Sequence, residues 1–260
     1  MLGRYYDAYA AVAAAAGAGL LLESPTWRAN PDWAARVGYD VDAMVRANVA
    51  AIDLLRELAA GYDVAAVLVA GQLGPRGDGY VAGEAPDPEE ARDYHAPQVR
   101  AFADAGADLV SALTLTTSAE GIGVVLAARD AGIPVSVGFT VETDGRLPDG
   151  TTLADAVQAV DVAAAPDHFV VNCAHPTHVL PALDEGEWVR RVVGTRANAS
   201  AMSHAELDEA EELDDGDPAQ LASDQMEVSR LLPAMRVLGG CCGTDVRHVA
   251  AMWGVAVPPR

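Results

Sequence analysis

The residues of this sequence best suited to chemistry are its cysteines, of which the 260-residue chain has three. Two are adjacent, in Leu238-Gly-Gly-Cys-Cys-Gly-Thr-Asp245, where a short apolar run gives way to glycines and then to a helix start. The third closes the β-branched run Val170-Val-Asn-Cys173. Every thiol therefore falls at the end of a predicted strand. Three thiolates on Zn²⁺, with a fourth position open to water or substrate, form the arrangement of a catalytic site, with Zn–S bonds of about 2.3 Å. A disulfide between neighbouring cysteines is disfavoured, because its Cβ geometry is reached only with strain. The alternative is three inert thiols, since free cysteine is among the most buried residue types. The flanking glycines and the shared strand-end placement of Cys173, Cys241 and Cys242 weigh against it. His175 is a further candidate ligand, but three thiolates plus an imidazole would fill the shell and leave substrate no room.

Gly239-Gly-Cys-Cys-Gly-Thr244 together with Asn172-Cys173 resembles the zinc signature of the homocysteine S-methyltransferase family, and similar stretches run from about Gly17 to Met252. The resemblance implies an α/β chain folded as one (β/α)₈ TIM barrel domain over residues 1–260, with Zn²⁺ as its cofactor. It implies transfer of a methyl group from an onium-type donor to the thiol of homocysteine or a related thiol, a step of methionine biosynthesis. A non-catalytic relative that only binds zinc or thiols is the second reading. In the family a strand-end glutamate is thought to hold the amino group of homocysteine; in Ala112-Leu-Thr-Leu-Thr-Thr117 its place is taken by Leu113. Glu142 and Glu23, both at ends of predicted strands, are the replacements, unless each is an ordinary solvated loop acid. Asn172 and Asn198 match rim asparagines of the family and would hydrogen-bond substrate, although asparagine is also common in turns. Family members begin with a strand carrying an Asp-Gly-Gly-like motif, and nothing before Tyr5 matches it. The first β-strand is therefore expected to be missing, leaving seven.

The elements that would position these residues follow from periodicity. Strands are predicted at Gly19–Ser24, Val64–Val69, Asp108–Leu115, Val135–Thr140, Phe169–Cys173, Val189–Val193 with Thr195, and Val237–Gly240. Helices are predicted at Tyr5–Ala16, Asp42–Ala60, Glu89–Ala105, from Thr117 to Ala131, from Thr152 onward, at Pro218–Met235 and at Asp245–Trp253. Thr117-Ser-Ala-Glu120 has the capping-box pattern. Strands alternating with helices indicate a parallel sheet with right-handed crossovers. Periodicity does not separate a barrel from an open sheet. A metal fed from distant strands at their C-terminal ends favours the barrel mouth.

Charge limits the partners. The chain has 38 acidic against 17 basic residues, a formal net charge of −21, and every basic residue is arginine. Such a surface repels phosphate backbones and makes nucleic acid an improbable partner. A content of 51% hydrophobic residues supports a large core, yet no apolar run reaches the length of a membrane span. The Ala-rich start around residues 10–16 lacks a signal peptide's basic flank and cleavage pattern, so a reduced, cytoplasmic protein is expected. The partners are then a small-molecule thiol acceptor and a methyl donor, with self-association into a homo-oligomer left open. Eight acids lie among residues 206–217, which reads as a solvated face or loop.

Overall fold

Short, β-branched strands can be buried on both faces only if helices cover them, and that alternation runs through the computed structural model, which describes residues 2–257. Helix α1 (Leu2–Ala16) leads into β1 (Leu20–Glu23), followed by α2 (Pro31–Arg36), α3 (Val41–Ala59), β2 (Val67–Leu73) and α4 (Pro88–Asp104). Next come β3 (Leu109–Leu115), α5 (Ser118–Ala131), β4 (Val135–Phe139), α6 (Leu153–Ala164), β5 (His168–Asn172) and α7 (Pro176–Val179). The chain ends with β6 (Val192–Ala197), α8 (His204–Glu209), α9 (Pro218–Leu231), β7 (Val237–Gly240) and α10 (Val246–Met252).

All seven strands are parallel and pair in chain order, β1 to β7. Among the described residues no ladder joins β7 back to β1. One edge of the sheet therefore carries every strand's C-terminal end, including Glu23, Asn172, Ala197 and Gly240. The main core lies between this sheet and its helices, with Phe102, Phe139, Phe169, Ile52 and Leu55 buried. A smaller cluster joins Val12 of α1 to Ala197, Leu221, Val249 and Met252. No helix among the described residues is long and apolar enough to cross a membrane.

Local chemistry explains where the elements begin and end. Asp40, Asp87 and Thr152 each accept a backbone N–H of the helix they precede. Only half of the expected capping box at Thr117 forms. The Thr117 hydroxyl accepts the N–H of Glu120 at 3.3 Å, but the Glu120 carboxylate turns to the Arg76 N–H and the His95 ring. Strand β2 runs past its predicted end at Val69, through Gly71, to Leu73. An ideal Cβ on Gly71 would fall 2.1 Å from the Phe102 ring, so glycine lets α4 seat against the strand. Strand β6 starts later than expected, because Glu187–Arg191 forms a 3₁₀ turn that buries Trp188 and Val189. Helix α9 stops at Leu231 instead of Met235, two residues before Pro233.

One irregularity in the sheet bears on the site. Strand β3 shifts register between Ala112 and Leu115, and Thr114 adopts a left-handed φ of 64°. For a β-branched residue that backbone is strained and needs support from its surroundings. Asn172 of β5 supplies it: its Oδ1 accepts the Thr114 N–H at 2.8 Å and its Nδ2 donates to the Thr114 hydroxyl at 2.7 Å. The bridge passes over Gly138 of β4, where a Cβ would stand 2.7 Å from Asn172 Oδ1 and 2.9 Å from both the Ala112 carbonyl and Leu113 Cδ2. Gly138→Ala should therefore lower unfolding stability by about 1–3 kcal/mol. Urea denaturation measures this, and an unchanged midpoint would show that the bridge can shift at no cost.

Candidate metal centre

The three thiols are placed by backbone before any side-chain contact. Cys173 follows β5 with φ 57°, and its N–H donates to the Arg196 carbonyl of β6 at 2.8 Å. The Cys241 N–H donates to the Ala197 carbonyl at 2.8 Å, while the Cys242 carbonyl accepts the Ala199 N–H at 3.0 Å. Strand β6 thus fastens the ends of both its neighbours. Gly243 turns the chain away with φ 74°, where a Cβ would meet the Asp214 carbonyl at 2.6 Å. The Thr244 hydroxyl closes the turn on the Cys241 carbonyl at 2.7 Å.

These constraints bring the Sγ atoms of Cys173, Cys241 and Cys242 within 4.8 Å of one another, with Cys173 and Cys242 at 3.3 Å. Tetrahedral zinc with Zn–S bonds of about 2.3 Å places sulfurs about 3.8 Å apart, so the cluster fits the ion. Cys173 is buried, Cys241 half-buried and Cys242 exposed, which leaves one side open. That side faces a cavity of about 320 Å³ whose wall includes Tyr80, Asn198, His204, Leu213, Asp214 and Cys242.

Three thiols this close cannot all ionise without a cation. Hydrogen bonds from Cys173 and then Cys241 pull the Cys242 thiol down. The hydrogen bonds of Cys241 to Cys173 and Cys242, followed by burial, push its thiol up. For Cys173 the bond with Cys241 acts downward, but the bond with Cys242 and burial outweigh it and the thiol is raised. Tyr80, on the loop between β2 and α4, completes the cluster with its hydroxyl 3.1 Å from Cys173 Sγ and 3.6 Å from Cys242 Sγ. Burial and then the neighbouring Cys173 and Cys242 raise its phenol, so it stays protonated and acts as a donor. Asp78 shapes that loop by accepting the N–H groups of Tyr80 and Val81.

Around the cluster, the Glu142 carboxylate lies 2.5 Å from Nδ1 of His204, whose Nε2 lies 3.0 Å from the Cys173 carbonyl. The His204 ring also packs on Tyr80, centroid to centroid 4.3 Å. Glu23 lies elsewhere on the rim: its carboxylate accepts the Ser111 hydroxyl at 2.6 Å and is ion-paired with Arg196. Asn198 lines the cavity, and its Oδ1 accepts the Ser200 N–H. Asn172 is buried, with its amide engaged by Thr114. Leu113 is buried as well. His175 turns away from the sulfurs, toward Thr177 at 2.7 Å and Asp224 at 4.0 Å. Tyr80, His204 and Arg196 are the site residues that sequence reasoning missed. Tyr80 sits 93 positions from Cys173, and only the Gly-Asp-Gly-Tyr turn hinted at a built loop.

Comparison with known proteins is consistent with this geometry. The family model for homocysteine S-methyltransferase matches residues 3–255. The metallated and oxidized forms of the homocysteine methyltransferase MmuM from Escherichia coli each align with a TM-score of 0.77 at 22% identity, covering 97% of this chain and 83% of theirs. The apo form of the same enzyme aligns with a TM-score of 0.68 at 23% identity, covering 97% and 82%. Curated proteins gave no match.

Because hydrogen bonding and burial push the Cys173 and Cys241 thiols up, zinc loading near neutral pH should release protons. Affinity for zinc should then fall as pH is lowered, since protons compete for the same sulfurs. Titration calorimetry in buffers of different ionisation heat measures the release, and a value of zero would contradict the shared-proton cluster. Metal analysis of Cys173→Ala, Cys241→Ala and Cys242→Ala should show weakened retention in each. Full retention by all three would overturn the ligand assignment.

Proposed function

The chain belongs to the homocysteine S-methyltransferase family, and from that premise we propose that it moves a methyl group from an onium-type donor to the thiol of homocysteine or a related thiol. The proposal takes Cys173, Cys241 and Cys242 as zinc ligands and the seven strands as staves of a (β/α)₈-type barrel. The observation that carries it is the convergence of three thiols with one open side, at the strand ends where barrel enzymes place their chemistry.

Zinc held by these thiolates would supply a Lewis acid that keeps the acceptor's sulfur as thiolate at neutral pH, where a free thiol with pKa about 8.5 is mostly protonated. The chain's own groups do the rest. Tyr80, which fills the open side next to Cys173 and Cys242, has to give way to the acceptor and can then donate to its sulfur. The cavity beyond Cys242 carries Asp208, Glu211, Glu212 and Asp214 beside the Tyr80 ring. A wall of carboxylates with an aromatic face suits a cationic donor and disfavours an anionic one. As the methyl group leaves, the donor's positive charge is lost and its hold on this wall weakens, which favours product release.

Glu142 remains the acid proposed for the acceptor's amino group, with His204 setting the direction of its carboxylate. Asn198 is proposed to present its Nδ2, which has no partner among the described residues, to substrate. Asn172 is proposed to act on substrate through the Thr114 backbone that it holds.

The test is incubation of zinc-loaded protein with homocysteine and S-methylmethionine or another onium donor, with methionine detected by mass spectrometry. Exchanging Glu211 and Glu212 together for glutamine should raise the donor KM severalfold while zinc content stays at one per chain. Zinc and thiol binding without any methylated product, across sulfonium and ammonium donors, would favour the non-catalytic reading.

A further inference from the structure

Arg196 and Glu23 form the other charged feature of the rim. They come from β6 and β1, and face each other inside the sheet's concave edge across Gly239 of β7, whose ideal Cβ would lie 3.6 Å from Arg196 Cγ. Their side chains are 24% and 11% exposed, so both charges are largely withdrawn from water yet not sealed. Glu23 is satisfied by Ser111 through Oε1 and by Arg196 through Oε2. Arg196 is not: Nη1 meets Glu23 and Nε donates to the Gly240 carbonyl at 3.3 Å, but Nη2 has no partner among the described residues. The guanidinium is placed next to the cysteine pair by geometry, since the Gly240 carbonyl that accepts its Nε–H belongs to the residue before Cys241. Residue 196 is also tied to the cluster by backbone, since its carbonyl holds the Cys173 N–H.

An arginine used only to neutralise Glu23 has no reason to keep a pair of donors open at the strand ends that carry the cysteines. Guanidinium is the side chain best matched to a carboxylate, and a partly desolvated charge-assisted hydrogen bond is stronger than a neutral one. We infer that Nη2 of Arg196 receives a carboxylate of the thiol acceptor, with Glu23 holding the guanidinium in place, so that the site selects thiols bearing a carboxylate a few atoms from the sulfur. Arg196 is then a specificity-determining residue. The inference rests on the methyltransferase reading for the identity of the site, but its own content is a binding preference that is measurable without turnover.

The experiment compares homocysteine with mercaptopropylamine, the same aminothiol without its carboxylate, on zinc-loaded protein. Affinities are read by calorimetry without methyl donor, and kcat/KM with it. Wild type should favour homocysteine by about tenfold or more, the size of one charged hydrogen bond. Arg196→Met should bring the ratio to within about threefold of unity. If Arg196→Met does not fold, Arg196→Lys decides: it keeps the charge toward Glu23 but lacks the second amino group, and the ratio should fall at least about threefold. A wild-type ratio near unity, or a ratio unchanged in these variants, would overturn the inference. Carboxylate-selective binding without methylation would leave the inference standing and remove the methyltransferase reading. Absence of thiol binding altogether would remove both.

Discussion

Three sulfur atoms that would repel one another as anions are held within 4.8 Å, and much of the architecture serves that contact. Cys173 and the Cys241–Cys242 pair are separated in sequence by α7, β6, α8, α9 and β7. A parallel sheet resolves this by aligning strand ends, and β6 stands between the two strands whose ends lead into the cysteines and binds the backbone of each. Cys173 accepts a left-handed backbone to aim its thiol at the others. Strain of that kind costs about 1–3 kcal/mol and persists only where surrounding contacts over-determine it. Here the hydrogen bond to Arg196 before it and the His204 ring on its carbonyl provide the restraint.

A second layer beneath the sulfurs has the same logic. Polar side chains reach across glycines of intervening strands: Asn172 over Gly138 to Thr114, and Arg196 over Gly239 to Glu23. Each crossing leaves one strand without a side chain so that residues of two other strands can meet inside the sheet. Above the sulfurs, Tyr80 and His204 cover the open side, and the acidic segment around α8 and its following loop builds the outer wall. The thiols, the floor and the cover thus come from different parts of the chain, and the strand-end edge brings them together.

The cysteine cluster was legible because its signal is local. Adjacent cysteines between glycines, and a lone cysteine after a β-branched run, have few other uses at predicted strand ends. The seven strands were legible for a similar reason, with errors at their borders where tertiary packing decides, as at Gly71 under Phe102 and at the 3₁₀ turn that buries Trp188. What stayed hidden depends on long-range contact. Glu142 and Glu23 look alike as strand-end acids, yet one binds a histidine beside the sulfurs and the other an arginine from β6. The acidic run after Met202 reads as solvated surface, and part of it is cavity wall. Tyr80 in a glycine-rich loop carries no period that would mark it as a neighbour of Cys173. Membership in the homocysteine S-methyltransferase family agrees with the resemblance in the cysteine motif.

The central claim is that the three cysteines hold zinc with a fourth position that a thiol can enter. X-ray absorption at the zinc edge, before and after saturation with homocysteine, tests it most directly by counting sulfur neighbours. A change from three sulfurs with one lighter atom to four sulfurs is the predicted result. A shell already complete in the free protein and unchanged by the thiol would contradict it.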